Sequence, residues 1–140
     1  MTSEKDPFAI LDRRVFPAGR TIYRKDEVGS SALLLKRGTV EIFKSDGNRE
    51  IVMATLGPGE IFGEMALLGS GRRSSGARAT SECECILISG GNMERLIANA
   101  EAGVRALLRT LVRRLRELDD RIEECPETGK LRIREASGSI

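Results

Sequence analysis

The sequence predicts a mainly β domain of short strands that is followed by two C-terminal helices. Glycines at positions 19, 29, 38, 47 and 57 recur at intervals of nine or ten residues, and the runs between them are rich in strand-forming residues. This rhythm is typical of an all-β sandwich or barrel, in which tight turns separate short strands. After Gly90-Gly91 the composition changes to Ala, Leu, Arg and Glu, which favour helices.

Turn residues set the bounds of the predicted strands. Arg37-Gly38 and Asp46-Gly47 fit hairpin turns, because glycine tolerates the positive φ that such turns require. The predicted strands are 13–16, 21–24, 32–36, 39–44, 50–55, 77–80 and 83–89. Cys83 and Cys85 are two residues apart in the last strand, so they face the same side, and we expect them to pack in the core.

The composition excludes several functional classes. At 140 residues the chain has the size of one domain, and its 23 basic and 21 acidic residues give a net charge of +2. That charge is too small to favour nucleic acid or an anionic membrane as the main partner. The sequence has no histidine and only three cysteines, so we expect neither a metal site nor histidine-based catalysis. This composition argues against most hydrolases and metalloenzymes, and we expect the chain not to be an enzyme.

Three features of the chain favour a cytoplasmic location. No apolar run approaches the ~20 residues that cross a bilayer. Residues 1–6 are charged and polar, unlike the start of a signal peptide. An odd number of cysteines fits a reducing compartment better than a set of disulfides.

The most informative segment is 62–75, with the sequence FGEMALLGSGRRSS. Gly63 and Glu64 begin a short helix-forming run, and Arg73 follows nine residues after the carboxylate. The N-terminus of a helix offers unpaired amides and a partial positive charge, both of which favour a phosphate. Arg73 can add a bidentate contact to phosphate oxygens, and Glu64 can accept a hydrogen bond from a sugar hydroxyl. The segment therefore predicts a nucleotide site.

This segment resembles the phosphate-binding cassette of the cyclic nucleotide-binding domain family, and we call residues 62–75 the cassette. The matching residues, in register and without a gap, are Phe62, Gly63, Glu64, Met65, Ala66, Leu67, Leu68, Arg73 and Ser74. The resemblance covers residues 13 to 124. It implies a double-stranded β-helix (jelly-roll) β-roll with a short cassette helix and a long C-terminal lid helix. The sequence departs from the family pattern at Ser75, where alanine is usual, and at Gly76 and Ala77.

Arg73 has the strongest case among the candidate ligand-binding residues. The resemblance implies that its guanidinium pairs with the exocyclic oxygens of a cyclic phosphate, while backbone amides near Met65, Ala66 and Ser74 complete the cradle. The alternative is an ordinary solvated arginine in a loop. Arg72 is a rival for the same role, but the ungapped spacing disfavours it.

The resemblance also implies roles for Glu64 and Gly63. Glu64 would accept a hydrogen bond from the ribose 2′-hydroxyl, and its alternative role is to stabilise the N-terminus of the cassette helix. Gly63 would allow the backbone to approach the ligand closely, because it has no Cβ.

The ligand base is less sharply specified than the phosphate. Ser74 carries a hydroxyl that fits either cyclic AMP or cyclic GMP, and of the two we expect cyclic AMP. Ser75 adds a second hydroxyl or simply tolerates burial as a small residue. By resemblance the base rests on Ile42, Ala54 and Met65, whose alternative role is core packing.

Residues 92–99 fit a short helix and residues 102–124 a longer one. Apolar residues alternate by four and three along the longer helix, at Val104, Leu108, Leu111, Leu115, Leu118 and Ile122, and Leu107 and Val112 widen this stripe near its start. This spacing fits a seam between two helices. The stripe packs either on the chain's own β-roll or on a second copy in a homodimer through residues 104–122, and the sequence leaves both open.

The longer helix is also rich in arginine. At helical spacing, Arg113 with Glu117 and Arg116 with Asp120 are expected to form surface ion pairs. In similar domains an arginine from this helix covers the purine, and the resemblance brings Arg113 or Arg114 near that position.

Residues 125–140 combine Pro, Gly and Ser with few apolar residues, so we expect a flexible tail after a single domain of residues 1–124. Such a tail is too short for the helix-turn-helix of family members that regulate transcription, so no DNA-binding domain is expected. The expected function is a cyclic nucleotide sensor without a cofactor, which acts on an unidentified effector protein through its C-terminal helix. The alternative is a β-roll that has lost its ligand and serves in interaction or dimerisation.

Overall fold

The computed structural model describes residues 11–69, 71–124 and 131–133. The strands in these ranges are β1 (Arg13–Phe16), β2 (Thr21–Tyr23), β3 (Ser31–Arg37), β4 (Val40–Asp46), β5 (Arg49–Leu56), β6 (Ile61–Phe62), β7 (Gly76–Ala79), β8 (Cys83–Ser89), β9 (Ile122–Glu124) and β10 (Leu131–Ile133). The helices are α1 (Met65–Leu68), α2 (Gly90–Ala98) and α3 (Ala102–Arg121).

Two four-stranded antiparallel sheets form the body of the domain. One has the strand order β1-β8-β3-β6 and the other the order β2-β7-β4-β5. Strands far apart in sequence are therefore neighbours, as when Phe16 of β1 pairs with Cys83 of β8. These sheets and the helices that follow them confirm the predicted mainly β jelly-roll with C-terminal helices.

The main core lies between the two sheets, and a second one lies under α2. Leu35 of β3 and Cys85 of β8 are fully buried in the main core. The alternating positions Leu34 and Ile86 point the other way and pack with Leu96 of α2. Burial on both faces explains why β3 and β8 are almost continuously apolar. Since Cys83 is buried in the same core as Cys85, the predicted packing role of both cysteines is confirmed.

The predicted strands agree with the structure, with bounds that shift by one or two residues. β6 was not predicted, because a strand of two residues carries no periodic pattern. α2 begins earlier than predicted, since the Ser89 side chain caps it by accepting a hydrogen bond from the Asn92 amide.

α3 ends at Arg121, three residues before the predicted end. Residues 122–124 instead form β9, which pairs antiparallel with β10 from the segment predicted to be a tail. The remainder of the predicted tail, residues 125–130 and 134–140, lies outside the described residues.

The predicted apolar stripe of α3 exists, and most of it faces solvent. Leu108 and Val112 are half-buried. The stripe residues that are 41–58% exposed are Val104, Leu107, Leu111, Leu115 and Leu118. The rest of the described chain thus covers only part of the stripe. Within the described ranges, none of the helices combines the length and apolar character needed to cross a bilayer.

Candidate functional site

A cavity with a volume of 280 Å³ lies beside the cassette. This volume is near the lower end of the ~300–1,000 Å³ typical of small-molecule sites. The predicted site residues that line it are Ile42, Ala54, Gly63, Glu64, Met65, Ala66, Arg73, Ser74 and Ser75. Lining residues that the sequence did not single out for this site are Tyr23, Leu56, Ile61 and Phe62. Both sheet and cassette therefore contribute to one concave surface.

A sharp turn connects β6 to the single-turn helix α1. Gly63 has a φ of +75°, in the left-handed region that favours glycine. The amides of Leu67 and Leu68 donate to the Glu64 carbonyl at 2.9 and 3.0 Å. The Glu64 side chain makes no hydrogen bond to the start of α1. Its carboxylate thus lines the cavity instead of capping the helix.

The guanidinium of Arg73 is buried in the wall of the cavity. Only 8% of Arg73 is exposed. Its Nη1 donates to the Gly63 carbonyl at 3.0 Å, and its Cζ lies 4.3 Å from the centroid of the Tyr23 ring. A ring face attracts a cation at this distance. The predicted alternative of a solvated loop arginine is therefore wrong in the structure, whereas its rival Arg72 is exposed.

The backbone of Arg73 is fixed by residues 26–29, which follow β2 in the chain. The Arg73 amide donates to the Glu27 carbonyl, and the Arg73 carbonyl accepts from the Asp26 amide, both at 2.8 Å. A further bond of 2.8 Å joins the Gly29 amide to the Gly71 carbonyl. The cassette is thus held like an added strand against residues 26–29.

Two glycines leave the space that the guanidinium fills. A Cβ at Gly63 would lie 2.6 Å from Nη1 of Arg73, and a Cβ at Gly29 would lie 2.6 Å from its Cζ. Real Cβ atoms do not approach other heavy atoms this closely, so a side chain at either position would displace the guanidinium. Gly29 was predicted only as a turn residue, because no local pattern reveals a contact across 44 positions of sequence.

The charge of Arg73 is incompletely balanced. Among the described residues no carboxylate lies within ion-pair distance of it, although the exposed Arg37 and the half-buried Arg78 each pair with glutamates. A buried cation without a partner is unfavourable. The neighbouring Tyr23 does not supply an anion, because burial raises the pKa of its hydroxyl to about 12 despite the opposing effect of Arg73. The site therefore favours an incoming anion.

The family departures at Gly76 and Ala77 have packing reasons. A Cβ at Gly76 would lie 2.7 Å from the Phe43 ring atom Cε2, so the ring occupies the space that a side chain would need. Ala77 is fully buried in the main core, where the interior is filled. Both departures therefore adapt the sheet below the cavity and leave its lining residues in place.

The structure does not bring Arg113 or Arg114 to this cavity. Arg113 pairs with Glu117 at 3.8 Å, as predicted, and lines a different cavity between α2 and α3. Arg114 is exposed. The predicted role of either residue as a cover for the purine stays a prediction.

Arg116 makes a contact that was not predicted from the sequence. Its Nε donates to the carbonyl of Leu68, the last residue of α1, at 3.0 Å. Its predicted partner, Asp120, has a side chain outside the described ones. The bond joins α3 directly to the cassette helix, and helical spacing could not reveal it because the partner is a backbone atom in another element.

Comparison with known proteins gives the family. The family model for the cyclic nucleotide-binding domain matches residues 13–100, so the chain belongs to the cyclic nucleotide-binding domain family. The cyclic AMP receptor protein of Thermus thermophilus is 37% identical over 110 residues, which are 78% of this chain and 51% of that protein. The chain thus spans about half the length of this relative.

Two solved structures support the same assignment. The catabolite activator protein of Thermus thermophilus has a TM-score of 0.65 and 35% identity, over 81% of this chain and 54% of that one. The half-site-occupied form of the EAL enzyme Bd1971 has a TM-score of 0.71 and 29% identity, over 76% of this chain and 96% of that one. Bd1971 has also been solved in cAMP-bound and cGMP-bound forms.

Proposed function

We propose that this chain is a cyclic nucleotide sensor that binds cyclic AMP in preference to cyclic GMP at the cassette cavity. The observation that carries this proposal is the buried guanidinium of Arg73, which has no carboxylate partner among the described residues. A cyclic phosphate is an anion that supplies the missing charge and accepts the remaining guanidinium donors. The name of the Thermus thermophilus cyclic AMP receptor protein supports cyclic AMP as the ligand.

The other lining residues fit the remaining parts of such a ligand. We assign the ribose 2′-hydroxyl to Glu64, whose carboxylate faces the cavity and does not cap α1. The base would lie against Ile42 of β4 and Ala54 of β5, which are paired across the sheet. Met65 closes the same apolar wall. Apolar contact of this kind holds a purine without selecting it strongly.

We further propose that the chain regulates rather than catalyses. One similar structure belongs to an enzyme, Bd1971, but the chain covers only 28% of its cGMP-bound form. In the cGMP-bound form the likeness is therefore confined to one part of the chain, and the 96% coverage applies to the half-site-occupied form. No histidine is available for acid–base chemistry. The output would pass to an effector protein through α3.

The hydrogen bond between Arg116 and Leu68 gives this output a physical route. Leu68 ends the helix that begins at the phosphate site, so a ligand that shifts α1 changes the geometry of this bond. A ligand moves an equilibrium only through different contacts in the two states. Arg116 would make such a contact on the α3 side.

Substitution of Arg73 tests the ligand site. Arg73→Ala should weaken the binding of cyclic AMP about a hundredfold or more, because charge-assisted hydrogen bonds to the phosphate are lost. Isothermal titration calorimetry of the wild type and the variant gives the ratio of dissociation constants. Arg72→Ala is the matched control and should bind as the wild type does, since Arg72 is exposed and does not line the cavity. Equal binding by folded Arg73→Ala would refute the assignment.

Substitution of Arg116 tests the route to α3. Hydrogen–deuterium exchange should show that cyclic AMP changes the protection of α3 in the wild type and changes it much less in Arg116→Ala. The affinity should fall by no more than about tenfold, because a single hydrogen bond is removed away from the ligand. Arg114→Ala, on the same helix and exposed, should keep the wild-type response of α3. A full response in Arg116→Ala would exclude this route.

The exposed apolar face of α3 favours a homodimer. We propose that two copies pair through Val104, Leu107, Leu111, Leu115 and Leu118, since five large apolar side chains on one face are costly to leave in water.

Sedimentation velocity tests this pairing. The wild type should sediment as a dimer, and the double variant Leu111→Glu with Leu115→Glu should sediment as a monomer, because two charges would be buried in the seam. Val28→Glu is the control, since Val28 is 78% exposed on the β-roll and lies outside the seam. A monomeric wild type at every concentration would contradict the homodimer.

A further inference from the structure

The hydroxyl of the buried Ser75 has no hydrogen-bond partner within residues 11–69, 71–124 and 131–133. Ser75 is 7% exposed and lines the cassette cavity. Two less buried serines do have partners, since the Ser81 hydroxyl accepts from the Thr39 amide and the Ser89 hydroxyl from the Asn92 amide. Buried hydroxyls in proteins nearly always have a partner, so this one needs an explanation.

Ser75 lines the same cavity as Arg73. Both residues are buried, and the cavity wall also includes the apolar Ile42. A ligand that fills this cavity can therefore contact Ser75 and Arg73 together.

The positive charge of Arg73 determines which kind of ligand group can bind beside the Ser75 hydroxyl. Arg73 attracts an anion, and an anionic oxygen accepts hydrogen bonds and donates none. We propose that the Ser75 hydroxyl donates a hydrogen bond to an oxygen of the same phosphate that Arg73 binds. This inference rests on the proposed function, and it makes Ser75, a departure from the family alanine, a second side-chain ligand of the phosphate.

The proposal has two opposite consequences for one substitution. In the empty cavity the unsatisfied hydroxyl destabilises the fold, so its removal should stabilise the unliganded protein. In the complex the hydroxyl is satisfied by a charged acceptor, so its removal should weaken binding. A purely structural serine would not produce this combination.

The experiment compares Ser75→Ala with the wild type in two measurements. Differential scanning calorimetry should show that the variant without ligand melts about 2–4 °C higher. Isothermal titration should show that the variant binds cyclic AMP and cyclic GMP more weakly, by about tenfold or more and by the same factor for both, because the two ligands share the phosphate. Ser45→Ala is the control, since Ser45 is exposed on β4, and it should change neither quantity.

Any other result of these two measurements contradicts one specific part of the proposal. A variant that binds both nucleotides as tightly as the wild type overturns the contact and leaves the proposed function standing. Unequal losses for the two nucleotides place the hydroxyl at the base and overturn the phosphate assignment. A wild type that binds neither nucleotide overturns the proposed function and the contact with it. If Ser75→Ala without ligand melts at the wild-type temperature, the statement that the hydroxyl is unsatisfied in the empty site is overturned.

Discussion

The buried guanidinium of Arg73 is the interaction on which the rest of the site depends. It lies on the face of Tyr23, donates to the Gly63 carbonyl and has no carboxylate partner among the described residues. Burial of such a cation is unfavourable unless an anion joins it. The fold maintains this arrangement because the amide and the carbonyl of Arg73 both form hydrogen bonds with the backbone of residues 26 and 27. The empty protein thus holds the cation in place before any anion arrives.

The same arrangement connects the cavity to the C-terminal part of the chain. The cassette turns from Gly63 into α1, and α1 ends at Leu68, whose carbonyl accepts from Arg116 of α3. A single short helix therefore separates the cassette cavity from the long helix. Because α3 leaves most of its apolar face exposed, a change in its position would be transmitted to whatever covers that face.

The sequence predicted the parts of this site that depend on local order. Glu64 and Arg73 were found because their spacing matches a family pattern, and the strands were found because turn glycines separate them. Tyr23, Gly29 and Arg116 were missed because each acts through a contact between distant segments, and Arg116 through a backbone acceptor. β9 was missed because the helical pattern of α3 runs on beyond Arg121 in sequence, and β10 was missed because the composition of residues 125–140 favours a tail.

The central claim is that the fold positions the guanidinium of Arg73 for a phosphate, and the space left by Gly29 tests it most directly. Calorimetric titration with cyclic AMP should show that Gly29→Ala binds more than about tenfold more weakly than the wild type, because the new Cβ displaces the guanidinium. Gly57→Ala, where a Cβ meets open space, should bind normally. Circular dichroism confirms that both variants fold. Wild-type affinity in folded Gly29→Ala would contradict the account.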